Sequence, residues 1–251
     1  LFVSANDEWD GSGDGALGFV SASNTSLEPW EANNYDASIE YYMPGNGIVS
    51  ISRFYKDISN FFGDSEPRLV DQALMEEYGL TEQELGYEFT TRINVGDAII
   101  KGWEFNLVQP LGIFGEWGRN ISVMANYTNL DLSGSNQADF SDFIPEAGNI
   151  GVRFSVGKLA AFVKWNYRGK QLREPHDAYP GANEYIRARD QIDANVEYQL
   201  NDRLALFVAG RNITNETNEW EVSGPVAPSW SWMQSHTRFG AQYSFGIKGT
   251  F

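Results

Sequence analysis

The stretch TRFGAQYSFGIKGTF, Thr237–Phe251, alternates between an apolar row and a row of polar residues and glycine. The apolar row carries Phe239, Ala241, Tyr243, Phe245, Ile247, Gly249 and Phe251. A period of two is typical of a β-strand, so we predict a final strand over 237–251. An aromatic row on a terminal strand promotes edge pairing in a soluble protein, whereas in a membrane barrel it faces lipid. The alternative interpretation of 237–251 is the final strand of a soluble β-sandwich.

The composition excludes several classes of function. The chain has 251 residues and a net charge of -16, from 34 acidic and 18 basic side chains, so we expect no nucleic-acid partner. Cysteine is absent, which excludes disulfides, thiolate metal sites and a cysteine nucleophile. No apolar run approaches the roughly 18 residues that a membrane helix needs. A membrane barrel remains compatible with this sequence, because its strands are apolar on one side only.

The alternation seen at the C-terminus recurs upstream and predicts about nine strands in total. The other eight are predicted over residues 35–42, 48–58, 97–109, 121–128, 149–156, 159–168, 191–198 and 204–213. The clearest is 149–156, where Ile150, Val152 and Phe154 alternate with polar residues or glycine. The predicted class is therefore all-β.

The connections between the predicted strands alternate in length. Short connections are predicted at 44–47, 111–119, 157–158 and 201–203, and a long loop separates each from the next. Up-and-down membrane barrels have short periplasmic turns and long extracellular loops, whereas Greek-key sandwiches do not separate the two lengths so regularly. We therefore predict a transmembrane antiparallel up-and-down β-barrel over 32–251. Residues 1–31 are expected to form a further extracellular loop region, entered from the end of a preceding strand.

The long loop at 63–88 is predicted to be structured, with two short helices. Pro67 is expected to open the first helix, which buries Leu69 and ends at Gly79. Thr81 starts a Thr-x-x-Glu capping box for the second helix.

Charged side chains decide which face of each strand meets lipid. The polar rows carry full charges, among them Arg153, Lys164, Asp193 and Glu197. An Arg or Lys on the lipid side near the midplane costs roughly 2 to 4 kcal/mol. We therefore expect the polar rows to face a wet lumen, the apolar rows to face lipid, and aromatic residues at strand ends to form interface girdles.

Several short motifs, in this order and spacing, resemble the C-terminal half of a TonB-dependent outer-membrane receptor over about residues 28–251. They are Glu28-Pro29, Asn34-Tyr35-Asp36, Phe54–Ile58, Gly102-Trp103-Glu104, Gly210–Asn215 and Phe245–Phe251. The resemblance implies a 22-stranded barrel plugged by an N-terminal domain, of which this chain would supply the last nine strands. An odd strand count places the closure partner of the final strand upstream of Leu1. The plug and its TonB-binding segment are expected to lie outside this sequence.

The resemblance implies active transport of a scarce, bulky ligand across the outer membrane of a Gram-negative bacterium. The ligand would be a glycan or oligosaccharide, or a siderophore-type chelate. The implied partners are outer-membrane lipid, TonB with its inner-membrane energising complex, and the remaining N-terminal part of the same receptor. No cofactor is implied.

Two polar loops are predicted to capture the ligand, because flat aromatic faces beside polar groups suit sugar stacking or an aromatic chelate. The first loop carries Arg173, His176, Tyr179 and Tyr185, and the second carries Trp220, Trp230 and Trp232. These aromatic residues could equally belong to the outer girdle or pack loop on loop. In the final strand, Tyr243, Phe245, Ile247 and Phe251 are predicted to form the barrel closure and assembly signal.

Two other classes of function compete with a transporter. A soluble, secreted or periplasmic all-β carbohydrate-binding module would use the same Trp-rich loops and would bury the apolar rows as a sandwich core. An enzyme is not expected, because the chain has two histidines and no Ser-His-Asp pattern, G-x-S-x-G or H-E-x-x-H. Nothing singles out one carboxylate pair among the acidic residues. We expect no catalytic residue and no metal site.

Overall fold

The structure is a computed structural model, and it describes residues 1–5, 18–134, 140–141, 143–176, 181–225 and 227–249. Strands dominate, as the period of two predicts. In chain order the elements are β1 Phe2–Ala5, β2 Gly18–Ala22, β3 Glu31–Met43, β4 Gly47–Asp64, β5 Arg68–Leu69, α1 Gln72–Tyr78, β6 Glu88–Pro110, β7 Ile121–Gly134, β8 Glu146–Val156, β9 Leu159–Arg168, β10 Gln171–Pro175, β11 Asn183–Ile186, β12 Arg189–Gln199, β13 Leu204–Arg211, β14 Asn218–Ser223, β15 Met233–Thr237 and β16 Gln242–Gly249.

Nine of these strands pair in one antiparallel wall, in the order β3-β4-β6-β7-β8-β9-β12-β13-β16. The predicted number of wall strands is confirmed, and each predicted strand lies within or overlaps one of them. When the small strands are left out, strands that are neighbours in the wall also follow one another in the chain. This is the up-and-down topology. Within the described residues, β3 and β16 lie at the two edges and do not pair with each other.

The two ends of the wall differ in the length of their connections. Tight turns at 44–46, 157–158 and 200–203, and two 3-10 turns between 111 and 118, join the strands at one end. The other end carries 65–87, 135–145, 169–188 and 212–241. We call these the short-turn end and the long-loop end. In an up-and-down membrane barrel they are the periplasmic and extracellular ends.

The apolar rows of the wall lie exposed on its surface rather than buried in a protein core. Ile150 is 47% exposed, Val163 is 48% exposed and Phe245 is 86% exposed. A sandwich would bury these side chains against a second sheet, so their exposure contradicts the sandwich alternative. We call this surface the apolar face, and the opposite surface, with Arg153 and Lys164, the polar face. Contiguous exposed apolar surfaces mark contact with a membrane or with another protein, and in a membrane barrel the apolar row meets lipid.

The largest buried cluster lies beside the wall at the long-loop end, where β6 extends past its neighbours. β2 runs parallel to the first residues of β6, and β5 pairs with the same segment. α1 packs onto these strands, so that Val20, Leu74 and Phe89 are almost completely buried. The cluster is thus a small extramembranous core made by residues 18–22 and the 65–87 connection.

The first predicted helix starts later than expected. Its N-cap is Asp71, whose carboxylate accepts a hydrogen bond from the Leu74 amide at 2.9 Å, and not Pro67. Leu69 pairs with Glu88 in the extended strand β5 and is 56% exposed, so the prediction that this helix buries it was wrong. Gly79 does end the helix, with φ 66, a conformation that glycine adopts at little cost.

The second predicted helix is a 3-10 turn, Glu82–Glu84, and its predicted capping box is present. The Thr81 hydroxyl accepts a hydrogen bond from the Gln83 amide at 3.3 Å, and the Glu84 carboxylate accepts one from the Thr81 amide at 2.7 Å.

The final strand is shorter than predicted. β16 covers Gln242–Gly249, whereas Thr237 ends β15, which belongs to a different sheet. Gly240 has φ 81 and breaks the extended backbone between the two strands, although the side chains alternate through it. In the region 1–31, β1 and β2 form an antiparallel pair and Glu31 begins β3.

Candidate functional site

Two long connections meet at the long-loop end in a separate four-stranded sheet. β10 and β11 come from the connection between β9 and β12, while β14 and β15 come from the connection between β13 and β16. The strand order is β10-β11-β14-β15, and all the pairs are antiparallel. The sheet forms because β11 pairs with β14, from Asn183 opposite Ser223 to Ile186 opposite Trp220. We call it the loop sheet.

The loop sheet brings together three of the side chains predicted to bind ligand. The Arg173 guanidinium lies 4.3 Å from the ring centroid of Trp220, so residues of the two loops are in direct contact. Arg173 also pairs with Glu184 at 2.7 Å and with Glu174 at 3.0 Å. Tyr185 lies on β11, and the Lys170 ammonium lies 3.8 Å from the centroid of its ring. Each of these two aromatic rings is therefore partnered by a cation.

Ion pairs hold the two loops together. Arg187, just after β11, pairs with Glu219 and, at 3.2 Å, with Glu221 on β14. Lys170 pairs with Glu221 at 2.5 Å. The acidic partners are only partly exposed, which makes these pairs less screened than ordinary surface pairs. The network makes the loop sheet a connected unit.

Glu219 is the centre of this network. Desolvation acts to raise the pKa of Glu219, but hydrogen bonds from Thr217 and His236 oppose it, and the charge of Arg187 acts in the same direction as those hydrogen bonds. The net effect places the pKa of Glu219 below its ordinary value, so the carboxylate is ionised at neutral pH. His236 Nδ1 lies 2.9 Å from Glu219 Oε1.

Three of the other predicted capture residues lie elsewhere in these two loops. His176 lies after β10, and its amide donates to the carbonyl of Ala182 at 3.0 Å. Trp232 donates its indole N–H to the Ala227 carbonyl at 2.8 Å, which supports the loop itself. Trp230 lies in a 3-10 turn and is 86% exposed. Tyr179 lies outside the described residues.

A cationic pair lies on the polar face at the point where β9 leads into the loop sheet. Arg168 on β9 is opposite Arg189 on β12 in the register of the wall. The Nε atom and one terminal nitrogen of Arg168 are buried, and among the described residues they have no hydrogen-bond partner. Buried polar groups are normally satisfied, because an unmet donor costs about 1 to 3 kcal/mol. The sequence predicts Arg168 in a strand, but it does not predict that Arg168 lies opposite Arg189, because the alternation within one strand carries no information on its register with the next.

Residues 3–213 match the protein family described as TonB dependent receptor-like, beta-barrel. The chain belongs to the TonB-dependent receptor family. The resemblance predicted from the sequence is therefore confirmed, and the nine-stranded wall is part of a transmembrane receptor barrel. Members of this family reside in the outer membrane of Gram-negative bacteria and act as transporters.

Several solved structures share this receptor fold. A mutant of the ferric enterobactin receptor PfeA from Pseudomonas aeruginosa is 16% identical, with a TM-score of 0.63 over 96% of this chain and 34% of that chain. The copper transporter OprC is 14% identical, with a TM-score of 0.63 over 90% of this chain and 33% of that chain. The siderophore receptor PiuA from Acinetobacter baumannii is 14% identical, with a TM-score of 0.57 over 92% and 30%. The likeness at these identities concerns the fold, and the chain spans about a third of each structure's length.

Comparison with curated protein sequences gives no match. In the described part of this TonB-dependent receptor chain, no helix has the length and apolar character that crossing a membrane requires. The same residues contain no group of three or more His, Asp or Glu side chains placed to hold a metal ion.

A row of amides crosses the polar face of the receptor wall. It consists of one side chain from each of five consecutive strands, paired in register: Asn106, Asn126, Asn149, Asn166 and Gln191. Asn126 and Asn149 exchange hydrogen bonds at 3.2 and 2.9 Å. Asn166 and Gln191 both donate to Asp193, at 3.1 and 2.8 Å. We call this the amide row. The period of two in each strand predicts that these residues lie on the polar face, but it does not predict that they align across the strands.

Three residues of the predicted closure and assembly signal lie on β16 of the receptor wall: Tyr243, Phe245 and Ile247. Tyr243 is opposite Gly210 of β13, and a Cβ on Gly210 would lie 3.2 Å from the Tyr243 ring. The ring therefore covers the glycine. Phe245 is 86% exposed and Ile247 is 67% exposed on the apolar face. Phe251 lies outside the described residues, and the assembly role of these residues stays a prediction.

Proposed function

We propose that this chain forms part of an outer-membrane transporter that takes up an anionic, oxygen-rich metal chelate of the siderophore type, driven through TonB. The single observation that carries the proposal is Arg168, a half-buried side chain opposite Arg189 and next to the loop sheet, with two guanidinium nitrogens that have no hydrogen-bond partner among the described residues. Guanidinium groups bind carboxylate, catecholate and similar oxygen anions through paired N–H donors. A ligand of that kind would satisfy the nitrogens that the described protein residues leave unmet.

The loop sheet supports this choice of ligand over a glycan. Stacking on a neutral sugar needs a free aromatic face, whereas Trp220 is covered by Arg173 and Tyr185 by Lys170. Both covering cations are paired with carboxylates, Arg173 with Glu184 and Lys170 with Glu221, so the covered rings argue against sugar stacking and add no unpaired positive charge. The names of the solved structures with this fold include a ferric enterobactin receptor, a siderophore receptor and a copper transporter, which agrees with a metal-bearing ligand.

The proposed division of labour follows the two ends of the wall. The loop sheet at the long-loop end captures the chelate, and the Arg168–Arg189 pair receives it at the start of the polar face. The polar face forms part of the path, and energy arrives through TonB and its inner-membrane complex, acting on parts of the receptor other than this wall. The chain itself performs no covalent chemistry in this scheme.

A neutral oligosaccharide is the second candidate, and it is favoured by the amide row and by Trp230. Amides donate to and accept from hydroxyl groups without a net charge. Trp230, at 86% exposure, is free to stack on a sugar ring. This ligand would leave the buried Arg168 donors without a matching anion, so we rank it second.

The test uses the complete receptor in detergent, titrated separately with a ferric catecholate and with a neutral maltooligosaccharide. Arg168→Gln should weaken binding of the ferric catecholate at least about tenfold, because one charge-assisted hydrogen bond contributes about 1.5 to 3 kcal/mol. Arg153→Gln is the matched control, since Arg153 lies on the polar face toward the short-turn end and opposite Phe162. Equal affinity of wild type and Arg168→Gln for the catecholate would contradict the proposal. Tight binding of the oligosaccharide alone would favour the second candidate.

A further inference from the structure

Lys164 is an unpaired cation on the polar face, in the middle of β9. It is half-buried, and among the described residues it has no hydrogen-bond or ion-pair partner. By contrast, Lys101 on β6 is paired with Asp131 at 3.1 Å, and Lys248 on β16 is paired with Glu197. A half-buried charge without a partner is costly, because it loses water without gaining an opposite charge. The packing of the wall does not explain this charge.

A carboxylate lies directly opposite Lys164, but other donors occupy it. In the register of β9 with β12, Lys164 faces Asp193. One oxygen of Asp193 accepts hydrogen bonds from the Gln191 side chain at 2.8 Å and from the Asn212 amide at 2.9 Å, and the other accepts one from Asn166 at 3.1 Å. The amide row and the connection after β13 therefore use the carboxylate that the register places beside Lys164, and the ammonium is left without an ion pair.

The other neighbours of Lys164 add no negative charge. On the β8 side it faces Gly151, over which the ring of Phe162 lies. On the far side of Asp193, the charge of Arg211 on β13 acts on the same carboxylate. Two cations thus share one carboxylate, and the net charge at this level of the polar face is positive. An oxygen anion arriving there would meet the ammonium without having to displace an internal ion pair.

Lys164 lies on the same strand as the cationic pair of the proposed capture site, closer to the short-turn end. Arg168 and Lys164 are four residues apart on β9, and a strand rises about 3.3 Å per residue, so the two positions are about 13 Å apart along the wall. Asn166 of the amide row lies between them on the same face. An anion that moves along β9 from the long-loop end therefore meets a guanidinium, then neutral amides, and then an ammonium.

We propose that Lys164 is a second anion-binding position, which receives the chelate after it has left the Arg168–Arg189 pair. The inference rests on the proposed function, because it takes the class of ligand from there. An ammonium on a flexible stem holds an oxygen anion less rigidly than a guanidinium fork does, so the chelate stays at Lys164 only briefly. Lys164 therefore acts on the rate of passage, whereas Arg168 sets the affinity at equilibrium.

The first test compares uptake with binding in the complete receptor. Lys164→Gln should lower the initial rate of ferric catecholate uptake into intact cells at least about fivefold. The dissociation constant of the purified variant should stay within about twofold of wild type. Lys164→Arg keeps the charge and should retain most of the uptake. Lys56→Gln is the matched control and should import at the wild-type rate, because Lys56 lies exposed on the polar face of β4, opposite Ile100.

Two results of this comparison would overturn the proposal. The first is uptake by Lys164→Gln at the wild-type rate. The second is a loss of equilibrium affinity in Lys164→Gln as large as that in Arg168→Gln, since Lys164 would then belong to the capture site itself.

Chemical labelling tests access to Lys164 without the chelate. Pyridoxal phosphate carries a phosphate and an aldehyde; the aldehyde forms an imine with a lysine amine and loses water, and borohydride reduces the imine to a stable secondary amine. In the complete receptor, peptide mass spectrometry should find Lys164 labelled at least about fivefold more than Lys248, which is paired with Glu197. Excess inorganic phosphate should suppress the label. An unlabelled Lys164 would mean that another part of the receptor supplies its counter-charge, and the proposal would be wrong.

The two proposals can fail separately. A wild-type receptor that neither binds nor imports the ferric catecholate, but whose Lys164 is labelled, contradicts the proposed transport ligand and leaves Lys164 as an anion-binding position. A receptor that binds and imports the ferric catecholate with an unlabelled Lys164, or with equal uptake by Lys164→Gln, contradicts the second position alone.

Discussion

Single glycines opposite aromatic rings recur on the wall, and Gly210 opposite Tyr243 shows what they do. An aromatic ring that lies over a cross-strand glycine shields the bare backbone and pins the register of the two strands. Phe207 takes the same position over Gly246 on the polar face, where a glycine Cβ would lie 2.8 Å from the ring. The final strand β16 is thus joined to β13 by ring-on-glycine contacts from both faces. Such a contact requires glycine at the position under the ring, because a Cβ there would lie too close to the ring atoms.

Gly210→Ala is expected to destabilise the receptor by about 1 to 3 kcal/mol, because the added methyl lies 3.2 Å from the Tyr243 ring and overpacks the pair. The free energy of unfolding, from urea titration monitored by heat-modifiable gel mobility, measures the change. Combining Gly210→Ala with Tyr243→Ala removes the clash, so the double-mutant cycle should show a coupling energy of at least about 0.5 kcal/mol. Additive effects of the two substitutions would contradict the packing explanation.

At the scale of elements, the wall strands could be predicted and the loop sheet could not. The wall strands are long, and each has one face toward lipid and one toward water. Their sequences therefore alternate with a period of two, as in Ile150, Val152 and Phe154, and this alternation predicts them. β10, β11, β14 and β15 are short, and their stability comes from pairing across the two loops and from ion pairs such as Arg187 with Glu219. Those partners are distant in the sequence, and nothing local encodes their register.

The same limit applies to the candidate site. Arg173 and Trp220 could be selected as residue types suited to binding, but their contact depends on the pairing of β11 with β14. Arg168 and the amide row depend on register across the wall. The start of α1 was predicted wrongly because Pro67 and Asp71 are both acceptable residues at the start of a helix. The pairing of Leu69 with Glu88 in β6 decides between them.

The capping box of the 82–84 turn should make this element sensitive to acid. Hydrogen bonds from the hydroxyl and the amide of Thr81 lower the pKa of Glu84 below its usual 4.5. A carboxylate with a lowered folded-state pKa stabilises the fold fully above its unfolded pKa, and this contribution is lost as pH falls through the folded value. Hydrogen exchange of residues 80–86 should therefore accelerate below about pH 4.5, relative to residues 159–168. Thr81→Ala should show the faster exchange already at pH 7; identical exchange of the two proteins at both pH values would contradict the assignment.

The whole molecule is organised by the difference between its two faces, and a charge placed on each face tests this. Val163 lies in the middle of β9 on the apolar face, opposite Val152 and Ala194. Val163→Arg should destabilise the receptor by roughly 2 to 4 kcal/mol, because the charge must lie in hydrocarbon. Asn195→Arg is the matched control, since Asn195 lies on the polar face at nearly the same height and beside Glu197 in that row. It should change the free energy of unfolding by less than about 0.5 kcal/mol.

The measurement is the fraction of complete receptor recovered folded from membranes, together with the free energy of unfolding in lipid vesicles. A wall immersed in lipid predicts that only Val163→Arg is lost or destabilised, and that the protein requires detergent for extraction. If another protein surface covered the apolar face, Val163→Arg would be destabilising there as well, since a charge buried without a partner is costly. The requirement for detergent distinguishes that case from a wall in lipid. Equal tolerance of the two arginines would mean that the exposed aromatic rows, Phe245 among them, meet water and not lipid. That outcome would remove the physical reason for the alternation that runs from β3 to β16.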